Sequence, residues 1–130
     1  MDQALQNEIQ QLRGLSSKEA FVWLVQNRPS LCRTIAHRSW EIHEQEALLS
    51  HYLPGKLPYA AGHGYQWLVQ ATSLSRVVRH ITKLLPSIPQ DRLGLLEYHL
   101  SPVLSEAANT DRQRDEAQML LAEIRKQTVS

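Results

Sequence analysis

From Ala47 to Gln90, about a third of its length, the chain has no aspartate and no glutamate. Randomly placed charges would rarely leave such a stretch, so a polarised surface is expected although the formal net charge is only +1. Cysteine is nearly absent as well. Cys32 stands alone, which excludes an internal disulfide and leaves it as a small buried hydrophobe. Long apolar runs are missing too: Ala20–Val25 is far short of the roughly 20 residues needed to cross a bilayer. The opening "MDQALQNEIQ" is too polar for a secretory leader, so a cytoplasmic protein with no membrane association is expected. There is no Walker loop and no G-x-S-x-G elbow. Nor do any two histidines stand three or four residues apart, the spacing with which one helix presents two metal ligands. No metal, no cofactor and no catalytic constellation is therefore expected.

What is present is helical periodicity. Apolar residues recur at three and four throughout, and nowhere alternate over the length of a strand. The expected fold is all-α, a single domain over residues 1–130 built as a compact bundle of five to six short antiparallel helices. A first helix should run from about Asp2 to Arg13, closed by Gly14. Ser16 and Glu19 form a capping box that opens a second, which Pro29 stops. A third is expected from about Leu31 to Leu53, with Ile35, Ile42 and Leu49 on its inner stripe. "PGKLPYAAGHG", residues 54–64, reads as the one substantial loop. After it Trp67, Ala71, Leu74, Val78, Ile81 and Leu85 form the strongest periodic seam of the chain. Ser87 with Gln90, and Thr110 with Gln113, repeat the capping-box pattern ahead of the last two helices, the first of them bent by Pro102.

The seam-bearing segment "SLSRVVRHITKLLP" also carries Arg76, Arg79, His80 and Lys83. At about 100° per residue these cations fall opposite the apolar seam. A merely solvated helix face mixes signs, because an i,i+4 Glu–Lys pair adds a few tenths of a kcal/mol. This face forgoes that gain and accepts repulsion among its own cations. Either acidic neighbours within the fold or an external polyanion must compensate it. Asp91, Glu97, Glu106, Asp111, Asp115, Glu116 and Glu123 stand against only Arg92, Arg112 and Arg114, so the late helices are the natural internal source. A phosphate backbone is the natural external one, with Lys56 extending the footprint and Tyr59 and Tyr65 available to stack on bases.

Two resemblances bear on function. A single all-α domain with one cationic face, carried by "SRVVRHITK", resembles the small helical subunits of CRISPR effector complexes of the Cascade type. That resemblance implies a non-catalytic subunit that holds DNA or RNA backbone through Arg76, Arg79, His80, Lys83 and Lys56, and that assembles with other protein subunits or copies of itself. "RSWEIH", Arg38 to His43, is similar to the Arg, four residues, His pattern of HEPN ribonucleases. It implies His43 as general acid or base and Arg38 as the stabiliser of a charged transition state. Two further readings remain open. Residues 17–40 can be read as a helix-turn-helix that offers Arg33 and Arg38 to a major groove. The polarised surface also suits a protein-interaction module, an adaptor, chaperone or toxin-neutralising partner, because Val69 falls on the cationic side of its helix.

Overall fold

Local caps and breakers decide where each helix starts and stops. A computed structural model describes residues 3–30, 33–56 and 62–129. It contains seven α-helices: α1 (Gln3–Gly14), α2 (Ser17–Asn27), α3 (Ile42–Lys56), α4 (Gly62–Ala71), α5 (Leu74–Leu84), α6 (Leu93–Ala107) and α7 (Asp111–Thr128). Short 3-10 turns lie at Arg33–His37, Leu85–Ser87 and Gln90–Arg92. The expected all-α class holds, with seven helices instead of five to six and no strand among the described residues.

The Ser16–Glu19 capping box forms in full: the Glu19 amide donates to Ser16 Oγ, and the Ser16 amide donates to Glu19 Oε1, both at 3.1 Å. At α7 the device is shifted by one residue. Thr110 accepts from the Gln113 amide, but the Gln113 side chain takes the amide of Asn109. Ser87 and Gln90 make no box. The Ser87 hydroxyl donates back to Leu84 O, Gln90 reaches the carbonyls of Gln127 and Thr128, and α6 begins only at Leu93.

The expected third helix is broken. Ahead of α3 the chain makes a single 3-10 turn and then an irregular segment around Arg38 to Glu41. The Arg38 guanidinium supplies the reason. Its Nη1 donates to Leu12 O at 2.7 Å and Leu15 O at 2.8 Å, its Nη2 to Ser17 Oγ at 3.1 Å and its Nε to Ser39 O at 3.1 Å. These bonds supplement the long 3.4 Å bond that Leu12 O accepts from the Leu15 amide, satisfy Leu15 O just past α1, and place a cation at the negative end of that helix. Trp40 is pinned beside it, its indole N–H donating to Ile35 O at 2.7 Å and its ring lying 4.9 Å from the Arg38 guanidinium carbon. A continuous helix would forfeit this knot. Ile42 accordingly leaves the inner stripe and is 64% exposed.

The supposed loop is trimmed from both sides. Helix α3 runs on through Pro54 to Lys56, and α4 already includes Gly62 and Gly64. The continuous seam from Trp67 to Leu85 is in fact two helices, because Ser73 breaks it and caps α5 by accepting from the Arg76 amide at 3.2 Å. Leu31, Cys32 and Tyr59 lie outside the described residues.

One apolar cluster threads all seven helices, from Leu12 to Ile124, with Leu48, Leu49, Tyr52 and Leu53 of α3 and Val77 and Ile81 of α5 among its most buried members. Each such Leu or Ile contributes about 1.5–3 kcal/mol over an exposed one. Not all neighbours are antiparallel. Glu46 of α3 meets Arg76 and His80 of α5, and Pro54 further along α3 shares a small cavity with Leu84, Ser87 and Ile88, so these two helices run in the same direction. Helices α6 and α7 do form an antiparallel hairpin, since Gln90 ahead of α6 meets the last turn of α7.

Tyr65, open as a stacking residue on sequence grounds, is fully buried, while Trp67 lies at the edge of the core. The Tyr65 hydroxyl has no hydrogen-bond partner among the described residues, and burial pushes its pKa well above the ordinary phenol value. A buried unsatisfied hydroxyl costs about 1–3 kcal/mol. Tyr65→Phe is expected to raise the free energy of unfolding by about 1 kcal/mol in denaturant titration, whereas Tyr65→Ala should lower it by roughly 3–5 kcal/mol. A Phe variant less stable than the parent would show that the hydroxyl is bonded.

Candidate functional site

The cationic face of α5 follows directly from its pattern. Leu74, Val77, Val78 and Ile81 are buried, which turns Arg76, Arg79 and Lys83 outward. The face is not bare, however. Glu46, the last acid before the acid-free stretch, reaches it from α3. Its Oε1 accepts from Arg76 Nη1 at 2.8 Å and lies 3.7 Å from Arg79 Nη1, and its Oε2 contacts His80 Nε2. Of the two sources of compensation open in the sequence, the internal one serves Arg76 and His80 and only approaches Arg79. The compensating carboxylate does not come from the late helices, as the sequence suggested. Among the described residues, the acid of those helices that bonds to α5 is Glu116, which accepts from the Ser75 hydroxyl at 3.0 Å and pairs with Arg112 of its own helix at 3.5 Å.

Exposure separates the cations. The Arg76 side chain is 23% exposed and His80 15%, so both are drawn in toward Glu46, while Arg79 at 55% remains outward. Lys83 is exposed and has no ion pair among the described residues. The side chain of Lys56 lies outside the described residues. What faces solvent from α5 is therefore Arg79 and Lys83, one turn apart, beside a guanidinium already committed to a carboxylate.

The remaining sequence candidates fall elsewhere. Arg38 precedes α3 and spends its donors on the α1–α2 junction, while His43 sits in the first turn of α3 between two acids. His43 Nδ1 is 3.6 Å from Glu41 Oε2, and its Nε2 contacts Glu44 Oε2, a buried oxygen that accepts no regular hydrogen bond. Glu41 and Glu44 thus both approach His43. The helix-turn-helix reading loses its second helix, because Arg33 stands on a five-residue 3-10 turn and Arg38 beyond it.

Sequence reasoning missed a second feature. A cleft of about 780 Å³ opens where the end of α1, the segment 36–40, the first turn of α3 and the end of α4 meet. Arg13, His37, Arg38, Gln45 and Gln70 line it, and no acid among the described residues does. These residues lie far apart in the chain, so no spacing could announce it. Glu46, in contrast, had a readable signal as the last acid before the gap.

Glu46 is the titratable hinge of this surface. The hydrogen bond from His80, and then that from Arg76, hold its carboxyl below the usual value of 4.5 against the opposing effect of burial. A carboxyl lowered in the folded state stabilises the fold above its unfolded value and loses that contribution as pH falls through the folded one. Stability is therefore expected to decline below about pH 4.5 through this group, and Glu46→Gln should flatten that part of the pH profile of the melting temperature. An unchanged acid limb in the variant would contradict the pairing. No protein-family model matches the chain, and neither does any curated protein or solved structure.

Proposed function

We propose that the chain is a non-catalytic helical subunit that assembles with other proteins, using the outer edge of α5 as the charged rim of a protein interface. The observation that carries this reading is Glu46. By engaging Arg76 and His80 and approaching Arg79, it leaves two outward cations, Arg79 and Lys83, on α5 among the described residues. A phosphate-tracking surface typically needs more, because affinity with roughly six to ten phosphate contacts depends on releasing that many counterions. Two contacts give a salt slope of only about −1.8 on duplex DNA and about −1.4 on single strands. A protein interface, in contrast, places a few charges at its rim, where they orient the partner and speed encounter. Val69, expected on the cationic side of one continuous helix, instead lies on α4, half-buried in a groove of about 420 Å³ against Pro102, Val103 and Ala107 of α6, and so bears on neither use of the α5 rim.

The second reading is the nucleic-acid backbone subunit implied by the likeness to CRISPR small subunits. It is supported by the acid-free stretch and by the exposed pair Arg79 and Lys83. Two measurements separate the readings. A photo-crosslinking residue in place of Lys83, activated in the native host, is expected to yield nuclease-resistant protein adducts. In vitro, single-stranded DNA or RNA binding should show a log–log salt slope no steeper than about −2. Nuclease-sensitive adducts together with a slope of about −4 or steeper would give the surface to nucleic acid instead.

A further inference from the structure

We propose that the cleft lined by Arg13, His37 and Arg38 binds a phosphate group, free or as a small ester. This site is separate from the α5 rim and does not depend on how that rim is used. Two guanidinium groups line it, and neither has a carboxylate partner among the described residues. Arg38 is held rigidly, its charge balanced by the carbonyls of Leu12 and Leu15. That balance has a consequence for a ligand. The end of α1 would otherwise repel an anion, and the Arg38 bonds cap the carbonyls responsible.

Arg13 is the uncommitted group. Its Nε donates to His37 O at 2.8 Å, which fixes the plane of the guanidinium, and its two Nη nitrogens have no partner among the described residues. A fixed, half-used guanidinium fork matches the geometry of phosphate oxygens. Ser39, Gln45 and Gln70 add neutral polar groups, and Ala36, Ala71 and Trp40 supply apolar wall. Among the described residues no Asp or Glu lines the cleft, so no carboxylate competes with the anion for the Arg13 fork. The volume, about 780 Å³, falls within the roughly 300–1,000 Å³ of small-molecule sites and leaves room for an organic portion beyond the phosphate.

Calorimetric titration of the purified full chain tests this with three ligands: inorganic phosphate, a nucleoside monophosphate, and citrate as the carboxylate counterpart. Saturable binding of inorganic phosphate or the monophosphate, with citrate clearly weaker, is expected. Binding of both places the ligand among phosphate esters, and binding of inorganic phosphate alone restricts it to the free ion. Arg38 is structural, so the variants are chosen elsewhere. Arg13→Gln should weaken binding at least about tenfold, and Gln70→Glu, which sets a carboxylate in the cleft from an exposed helix end, should abolish it, both with melting temperatures near the parent's. No saturable phosphate binding at millimolar concentration, citrate binding as tightly, or indifference to both substitutions would each overturn the assignment.

Discussion

The Arg38 guanidinium ties together parts of the chain that local preference alone would arrange differently. By donating to the last carbonyls of α1 and to Ser17 at the start of α2, it fixes the α1–α2 corner against the segment that precedes α3. Its hydrogen bonds to backbone oxygens are charge-assisted, and several from one rigid group hold position better than the same number from separate side chains. Trp40 stacks beside it and is itself bonded to Ile35, so the 3-10 turn and the irregular residues after it are locked together. The start of α3 is thereby set. Everything that α3 presents, including Glu46 toward α5 and Tyr52 toward the carbonyl of Arg28 at 2.8 Å, inherits that register.

The same constraint shapes the surface. Because α3 and α5 run side by side in one direction, a single glutamate near the start of α3 meets two successive turns of α5. One carboxylate thus reduces what would be a four-cation stripe to an edge. Gln45, its neighbour in sequence, faces the cleft instead, so the first turns of α3 separate two cationic features: one largely neutralised internally, the other lined by guanidinium groups with no acid among the described residues.

The helical class was legible in the sequence, and so was each device that acts within a few residues. Ser16 and Glu19 could be read as a box because both halves lie in one turn. The buried residues of α5 follow from their spacing for the same reason. What could not be read depends on distant partners. The seam from Trp67 to Leu85 keeps perfect helical phase across a break, so periodicity hid the cap at Ser73. The stripe through Ile35, Ile42 and Leu49 hid the Arg38 knot in the same way, since its acceptors lie more than twenty residues earlier. The charge on α5 was visible, but its partner at Glu46 was thirty residues away, and the strongly acidic late helices drew attention to the wrong source.

The most direct test of this account is the side-chain NMR signature of Arg38. A guanidinium held by five acceptors should show resolved Nη protons, hindered rotation about Nε–Cζ and exchange with solvent much slower than that of exposed Arg112. Through-bond couplings from its Nη nitrogens to the carbonyl carbons of Leu12 and Leu15 should also be detectable. Averaged Nη signals exchanging as fast as those of Arg112 would contradict the account, because the corner that positions α3, Glu46 and the cleft would then have no anchor.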